Sequence, residues 1–128
     1  MIEHDNDGPL IVCADDDADI RELLMFGLGG HGYRVVFAAD GTEALRLAES
    51  WKPALMILDV AMPGIDGFEL TRRLRAGAET SEIPVVLLTA RVRDADVQQG
   101  YALGADAYIT KPFHLDELNR EVQRLLAA

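Results

Sequence analysis

Apolar residues fall into two recurring patterns along the chain. Short continuous runs occupy Leu10 to Ala14, Ala54 to Leu58 and Val85 to Leu88, with a weaker run at Tyr108 to Ile109, and Tyr33 to Ala38 is rich in β-forming residues. Runs that are apolar on both faces and bounded by Gly, Pro or Asp predict strands buried between two layers of helix. Between them the apolar positions recur at intervals of three and four, as in Ile20, Leu23, Leu24 and Leu28, or Leu115, Leu118, Val122 and Leu125. That spacing predicts amphipathic helices with one buried face. Asp40 with Glu43, and Asp66 with Glu69, are spaced like N-caps with a reciprocal acid, while Gly29, Gly30, Gly77 and Gly104 fall where helices are expected to stop.

Strand and helix therefore alternate five times. Alternation forces parallel pairing through right-handed crossovers, which predicts an α/β fold with a doubly wound five-stranded parallel sheet and helices on both faces. At 128 residues the chain suits one domain, expected over residues 9–128 behind a short N-terminal extension at 1–8. No internal repeat, linker or low-complexity tract divides it. Ligands of such sheets bind beyond the carboxyl ends of the strands, so chemistry is to be sought in the residues that end each apolar run.

Charge and composition narrow the partners. Twenty-two acidic against twelve basic residues give a net charge of −10, which opposes direct binding to nucleic acid or to an anionic membrane. No apolar run approaches the roughly 18 residues of a membrane span. Met1 to Gly8 carry Glu3, Asp5 and Asp7 with no basic or apolar block, unlike a signal or transit peptide, so a cytoplasmic location is expected. The single cysteine, Cys13, lies inside an apolar run and is expected to be a buried reduced thiol.

The run ends carry Asp15, Asp16 and Asp17 after the first, Asp59 after the third, Thr89 after the fourth and Lys111 just beyond the fifth. Singly each is ordinary: a strand-end Asp caps a helix, Thr89 could cap the next one, and lysines are mostly solvated. Together on one sheet edge they carry a meaning. Crowded carboxylates repel one another and raise their own pKa values unless a cation sits among them. Mg²⁺ suits them, because it binds through one or two carboxylates and takes further ligands from water and phosphate. A lysine and a hydroxyl beside the acids fit a phosphoryl group with charge on three oxygens, and an Asp carboxylate can accept that group as an acyl phosphate.

The segments IVCADDDADIR (Ile11 to Arg21), MILDVAMPGIDGFEL (Met56 to Leu70), PVVLLTA (Pro84 to Ala90) and GADAYITKPF (Gly104 to Phe113) resemble the receiver domains of two-component response regulators, and the resemblance covers Pro9 to Leu126. It implies a flavodoxin-like, CheY-like sheet of strand order 2-1-3-4-5. It further implies Asp59 as phosphoacceptor, Asp16 as direct Mg²⁺ ligand, Asp15 on the metal's water shell, and the Ala61 carbonyl completing the metal site. Lys111 would contact the acceptor and the phosphoryl oxygen, Thr89 would move to meet the phosphoryl group, and Tyr108 would turn inward behind it. Ala61 and Arg91 would flank the attacking water and set the phosphoryl lifetime. The Lys111 to Pro112 peptide is expected to be cis, and Asp17 is left as a second acid near the metal or a helix cap.

The implied partners are a sensor histidine kinase or histidine phosphotransfer protein as donor, and a protein partner or an effector domain outside this sequence as reader. Many receivers pair through charges on their fourth and fifth helices. Here Val97 and Ala102 replace an arginine and a glutamate, and Glu121 replaces a basic residue, so a monomer or weak dimer is expected. Three other classes compete. A haloacid-dehalogenase phosphatase also uses Asp, Mg²⁺, Thr and Lys, but places its nucleophile and a second Asp two residues apart on the first strand and adds a cap. A flavodoxin-like module would not open its phosphate loop with three acids. A receiver-like scaffold that is never phosphorylated has no need of every one of these side chains.

Overall fold

The computed structural model describes residues 8–90 and 93–127, so most of the expected N-terminal extension, and Arg91, lie outside the described residues. Five strands alternate with five helices: β1 (Leu10–Ala14), α1 (Ala18–Gly29), β2 (Arg34–Ala38), α2 (Gly41–Trp51), β3 (Leu55–Asp59), α3 (Gly67–Ala76), β4 (Val85–Thr89), α4 (Asp94–Ala102), β5 (Ala107–Thr110) and α5 (Leu115–Ala127). All pairings are parallel, in the order β2-β1-β3-β4-β5. The expected α/β architecture and strand order are both observed.

Alternate residues of each central strand feed two separate cores. Val12, Met56, Leu58, Val85 and Leu87 pack with α2 and α3 residues such as Ala44, Leu70 and Leu74. Ile11, Cys13, Ile57, Val86 and Leu88 pack on the other face with Leu24 and Leu28 of α1 and Leu118 and Val122 of α5. Every residue of β1, β3 and β4 is buried, as runs apolar on both faces require. The second strand differs, because it closes one edge of the sheet: Arg34 is exposed and Val35, Val36 and Phe37 are only half-buried. Cys13 is fully buried, and burial together with the nearby charge of Asp15 pushes its thiol pKa up, so it is an inert core thiol.

The helix ends follow the sequence. Asp17, Asp40 and Asp66 are N-caps, accepting hydrogen bonds from the backbone N–H groups of Asp19, Glu43 and Glu69, and Glu43 returns a bond from the Ala39 N–H. Gly30 and Gly77 are C-caps, whereas Gly104 stands two residues beyond the last residue of α4, with φ of +109° that favours glycine. The N-cap position of α4 is held by Arg93, just before Asp94, without a side-chain cap bond, so Thr89 does not occupy it.

Candidate functional site

Strand register builds the site. Ala14 of β1 pairs with Leu58 of β3, so Asp15 and Asp59, one residue on, leave the sheet at the same level. Asp59 pairs with Leu88 and Thr89 with Thr110, which carries Thr89 and then Lys111 to the same edge. The backbone N–H of Lys111 donates to the Thr89 carbonyl at 2.8 Å, holding the β5 end against β4. The Lys111–Pro112 peptide is cis.

Three carboxylates converge there: Asp15, Asp16 and Asp59 each bring one oxygen within 4.8 Å of the others. Asp15 and Asp59 are buried and Asp16 is exposed, so the cluster opens to solvent on one side. The Lys111 ammonium bridges the two buried acids, donating to Asp15 Oδ2 at 2.8 Å and to Asp59 Oδ2 at 3.3 Å. The remaining oxygens are held by backbone: Asp15 Oδ1 accepts from the Asp17 N–H and Asp59 Oδ1 from the Ala61 N–H. Arg21 donates to the Asp15 carbonyl from α1, tying the helix to the loop. Asp17 is spent on its cap, and so stands apart from the three acids.

Burial, and then the charge of Asp15, raise the Asp59 carboxyl above its ordinary value, although Lys111 and the Ala61 N–H pull the other way. For Lys111, burial opposes the charge, but the hydrogen bond and charge of Asp15, with the charge of Asp59, outweigh it and raise its pKa. Lys111 therefore remains cationic. Three carboxylates facing one ammonium give the site a formal excess of two negative charges, which a divalent oxygen-seeking cation would balance.

Thr89 is buried on the β4 face that also bears Leu87, and Leu87 pairs with Tyr108, so Thr89 and Tyr108 lie diagonally on one face of adjacent strands. Tyr108 is half-buried and stacks obliquely with Tyr101, with ring centroids 6.5 Å apart. Glu121 pairs within its own helix with Arg124. Two contacts of α3, one beside the site and one at its far end, have no signature in the sequence. Gly67, at the start of α3, passes so close to β3 that its N–H donates to the Val60 carbonyl at 3.0 Å. Arg75, at the end of α3, donates to the carbonyls of Ser81, Ile83 and Gly104 and to Asp106, fastening α3 to the segments that lead into β4 and β5, at the edge of the sheet opposite the acids.

A family model described as the response regulator receiver domain matches residues 11–123. The transcriptional regulatory protein AfsQ1 of Streptomyces coelicolor is 42% identical over 118 residues, covering 92% of this chain and 51% of that protein. The alkaline phosphatase synthesis transcriptional regulatory protein PhoP of Bacillus subtilis is 42% identical over 116 residues, covering 91% and 48%. Among solved structures, the receiver domain of a Pseudomonas aeruginosa sensor histidine kinase, which has a magnesium ion coordinated in its active site cleft, superposes with a TM-score of 0.87 at 31% identity, covering 94% of this chain and 99% of that one. Chemotaxis protein CheY4 of Vibrio cholerae gives 0.86 at 33% identity, covering 92% and 98%. The chain belongs to the response regulator receiver domain family, a signalling family, and spans about half the length of the curated relatives it matches. The phosphatase reading is not favoured. Among the described residues no helix is long and apolar enough to cross a membrane.

Proposed function

We propose that this receiver domain accepts one phosphoryl group on Asp59 from a sensor histidine kinase or a histidine phosphotransfer protein, and passes the change to a protein partner or to an effector domain. The observation that carries the proposal is Lys111 bridging Asp15 and Asp59 beside the exposed Asp16. Asp15, Asp16, Asp59 and the Ala61 carbonyl would hold Mg²⁺. When bound, the ion supplies charge neutralisation at the phosphoryl oxygens. A carboxylate oxygen of Asp59 forms the new bond to phosphorus as the donor's P–N or P–O bond breaks, the electron pair leaving with the donor atom. Lys111, already on Asp59, offers its ammonium protons to the incoming oxygens. The chain's own chemistry is confined to accepting this group and losing it to water.

Incubation with acetyl phosphate and Mg²⁺ is expected to add the mass of a single phosphoryl group, and chelation of the metal to prevent it. An unlabelled chain under saturating donor and Mg²⁺ would overturn the proposal.

The lifetime of the acyl phosphate follows from its flanks. Ala61 has no group that can orient water, and Arg91, two residues beyond Thr89, brings a cation in place of a base. Hydrolysis is expected to be about tenfold slower than in an Ala61→Asn/Arg91→Glu variant, a modest share of what positioned acid–base groups contribute. Faster loss of the label from the unaltered chain would refute the assignment of these two positions.

For output, Thr89 and Tyr108 form the relay. Phosphoryl oxygens on Asp59 draw the Thr89 hydroxyl inward, and the Tyr108 ring turns toward the space between α4 and the sheet.

A further inference from the structure

Gly100 lies in α4, is buried, and carries no cap, turn or positive φ that would call for glycine. Its neighbours explain it. A Cβ built on Gly100 would stand 3.0 Å from Leu87 Cδ1 and 3.0 and 3.1 Å from Cδ2 and Cε2 of the Tyr108 ring. Ordinary carbon contacts begin near 3.5 Å, so even a methyl group at this position presses into both neighbours. Leu87 is fully buried in β4 and has little room to retreat. The Tyr108 ring is half-buried on the edge strand β5, beside the exposed ring of Tyr101, and has a way out toward solvent.

We infer that Gly100 is a positioning residue for the switch: its bare Cα forms the seat on α4 that any ring of Tyr108 packed between that helix and the sheet must use. The inference rests on the proposed relay from Asp59 through Thr89 and deepens it. Between α4 and β4 the ring needs the volume over Gly100, whereas a ring turned to solvent does not. A methyl group at position 100 therefore taxes one state of the relay and leaves the other alone, which is what a population shift requires. Overpacking by one methyl shifts such an equilibrium by about tenfold against the seated ring. The phosphoryl chemistry, at the strand ends, is left untouched.

The test compares the unaltered chain, Gly100→Ala, Tyr108→Ala and the double variant, each with Mg²⁺ and the phosphoryl mimic beryllofluoride. Labelling by acetyl phosphate is read by mass, and the backbone amide shifts of α4 and β5 are read by NMR. Gly100→Ala is expected to label like the unaltered chain, yet to show about half or less of the beryllofluoride-induced shifts on α4 and β5. In the Tyr108→Ala background the same substitution is expected to change nothing further. Full shifts in Gly100→Ala, or an equal loss with and without the ring, would overturn the inference while leaving phosphorylation at Asp59 intact. An unaltered chain that neither labels nor responds would overturn the reading beneath it and the inference with it. Should Gly100→Ala fail to fold, recovery of the fold in the double variant would identify the ring as the obstacle, and failure there would assign the clash to Leu87 and refute the role.

Discussion

Asp59→Asn is expected to abolish labelling by acetyl phosphate and, in metal-free buffer at neutral pH, to make the fold more stable. The first effect follows from chemistry, since an amide has no anionic oxygen with which to attack phosphorus. The second follows from electrostatics. Burial and the charge of Asp15 raise the Asp59 pKa in the folded chain, so folding an ionised Asp59 costs free energy that the amide does not incur. The gain is expected to be on the order of 1 kcal/mol, a few degrees in Tm, as at other sites where function opposes stability. Asn retains an oxygen that can accept from Lys111, which keeps its 2.8 Å bond to Asp15. The pH dependence has a definite sign. With the folded pKa above the unfolded one, the folded chain holds the extra proton between the two values, and the wild type loses stability as pH rises through that window. The gap in Tm between variant and wild type should therefore be small in acid, widen from the ordinary carboxylate range upward, and then level off. Mg²⁺ should narrow it, because binding to the folded state stabilises the wild type by mass action. Thermal unfolding between acid and neutral pH, with and without Mg²⁺, checks both parts. Equal labelling of the variant, or a pH-independent loss of stability, would contradict this account.

The acids, the hydroxyl and the lysine were legible because parallel strands of equal length end together. Once Leu10 to Ala14 and Ala54 to Leu58 are taken as strands, Asp15 and Asp59 must leave the sheet side by side, and the register Ala14 with Leu58 shows them doing so. Helix starts were legible for the same local reason, since Asp66 and Glu69 announce a cap within four residues. Three other features depend on contacts between distant segments. Arg75 binds acceptors six to thirty-one residues away, and nothing in the local run LRAGAE marks it as different from Arg72 or Arg73, which pair with Glu69 on the surface. The partial exposure of β2 is set by its place at the sheet edge, which the apolar run Tyr33 to Ala38 does not encode. Gly67 and Gly100 owe their identity to what approaches them: the β3 backbone in one case, Leu87 and Tyr108 in the other.

Gly67 supports the largest effect expected of a substitution outside the acidic cluster. Its side-chain position faces backbone: a Cβ would stand 2.6 Å from the Asp59 carbonyl oxygen, 2.8 Å from Val60 Cα and 3.0 Å from the Asp59 carbonyl carbon. None of these atoms can swing aside as a flexible side chain would, so α3 must move away from the end of β3 or the strand end must yield. Either movement stretches the 3.0 Å bond from the Gly67 N–H to the Val60 carbonyl and disturbs the loop whose Ala61 N–H holds Asp59 Oδ1. Helix propensity alone favours Ala over Gly by roughly 0.5 to 1 kcal/mol, so a net loss in Gly67→Ala reports the clash. The expected loss is about 2 kcal/mol, within the usual range for overpacking. Labelling should suffer more than stability, because misplacing a nucleophile by about 1 Å costs on the order of a hundredfold in rate. Urea unfolding and the initial rate of labelling by acetyl phosphate measure the two effects on one sample. Gly77→Ala serves as the comparison: its Cβ would meet the Thr80 hydroxyl at 2.6 Å, at the opposite end of α3 and far from the strand-end acids. It is expected to affect stability while leaving the labelling rate within about twofold of the wild type, because its clash does not reach the reacting groups. If Gly67→Ala labelled as fast as Gly77→Ala, close contact between α3 and the acceptor loop would have no part in placing Asp59.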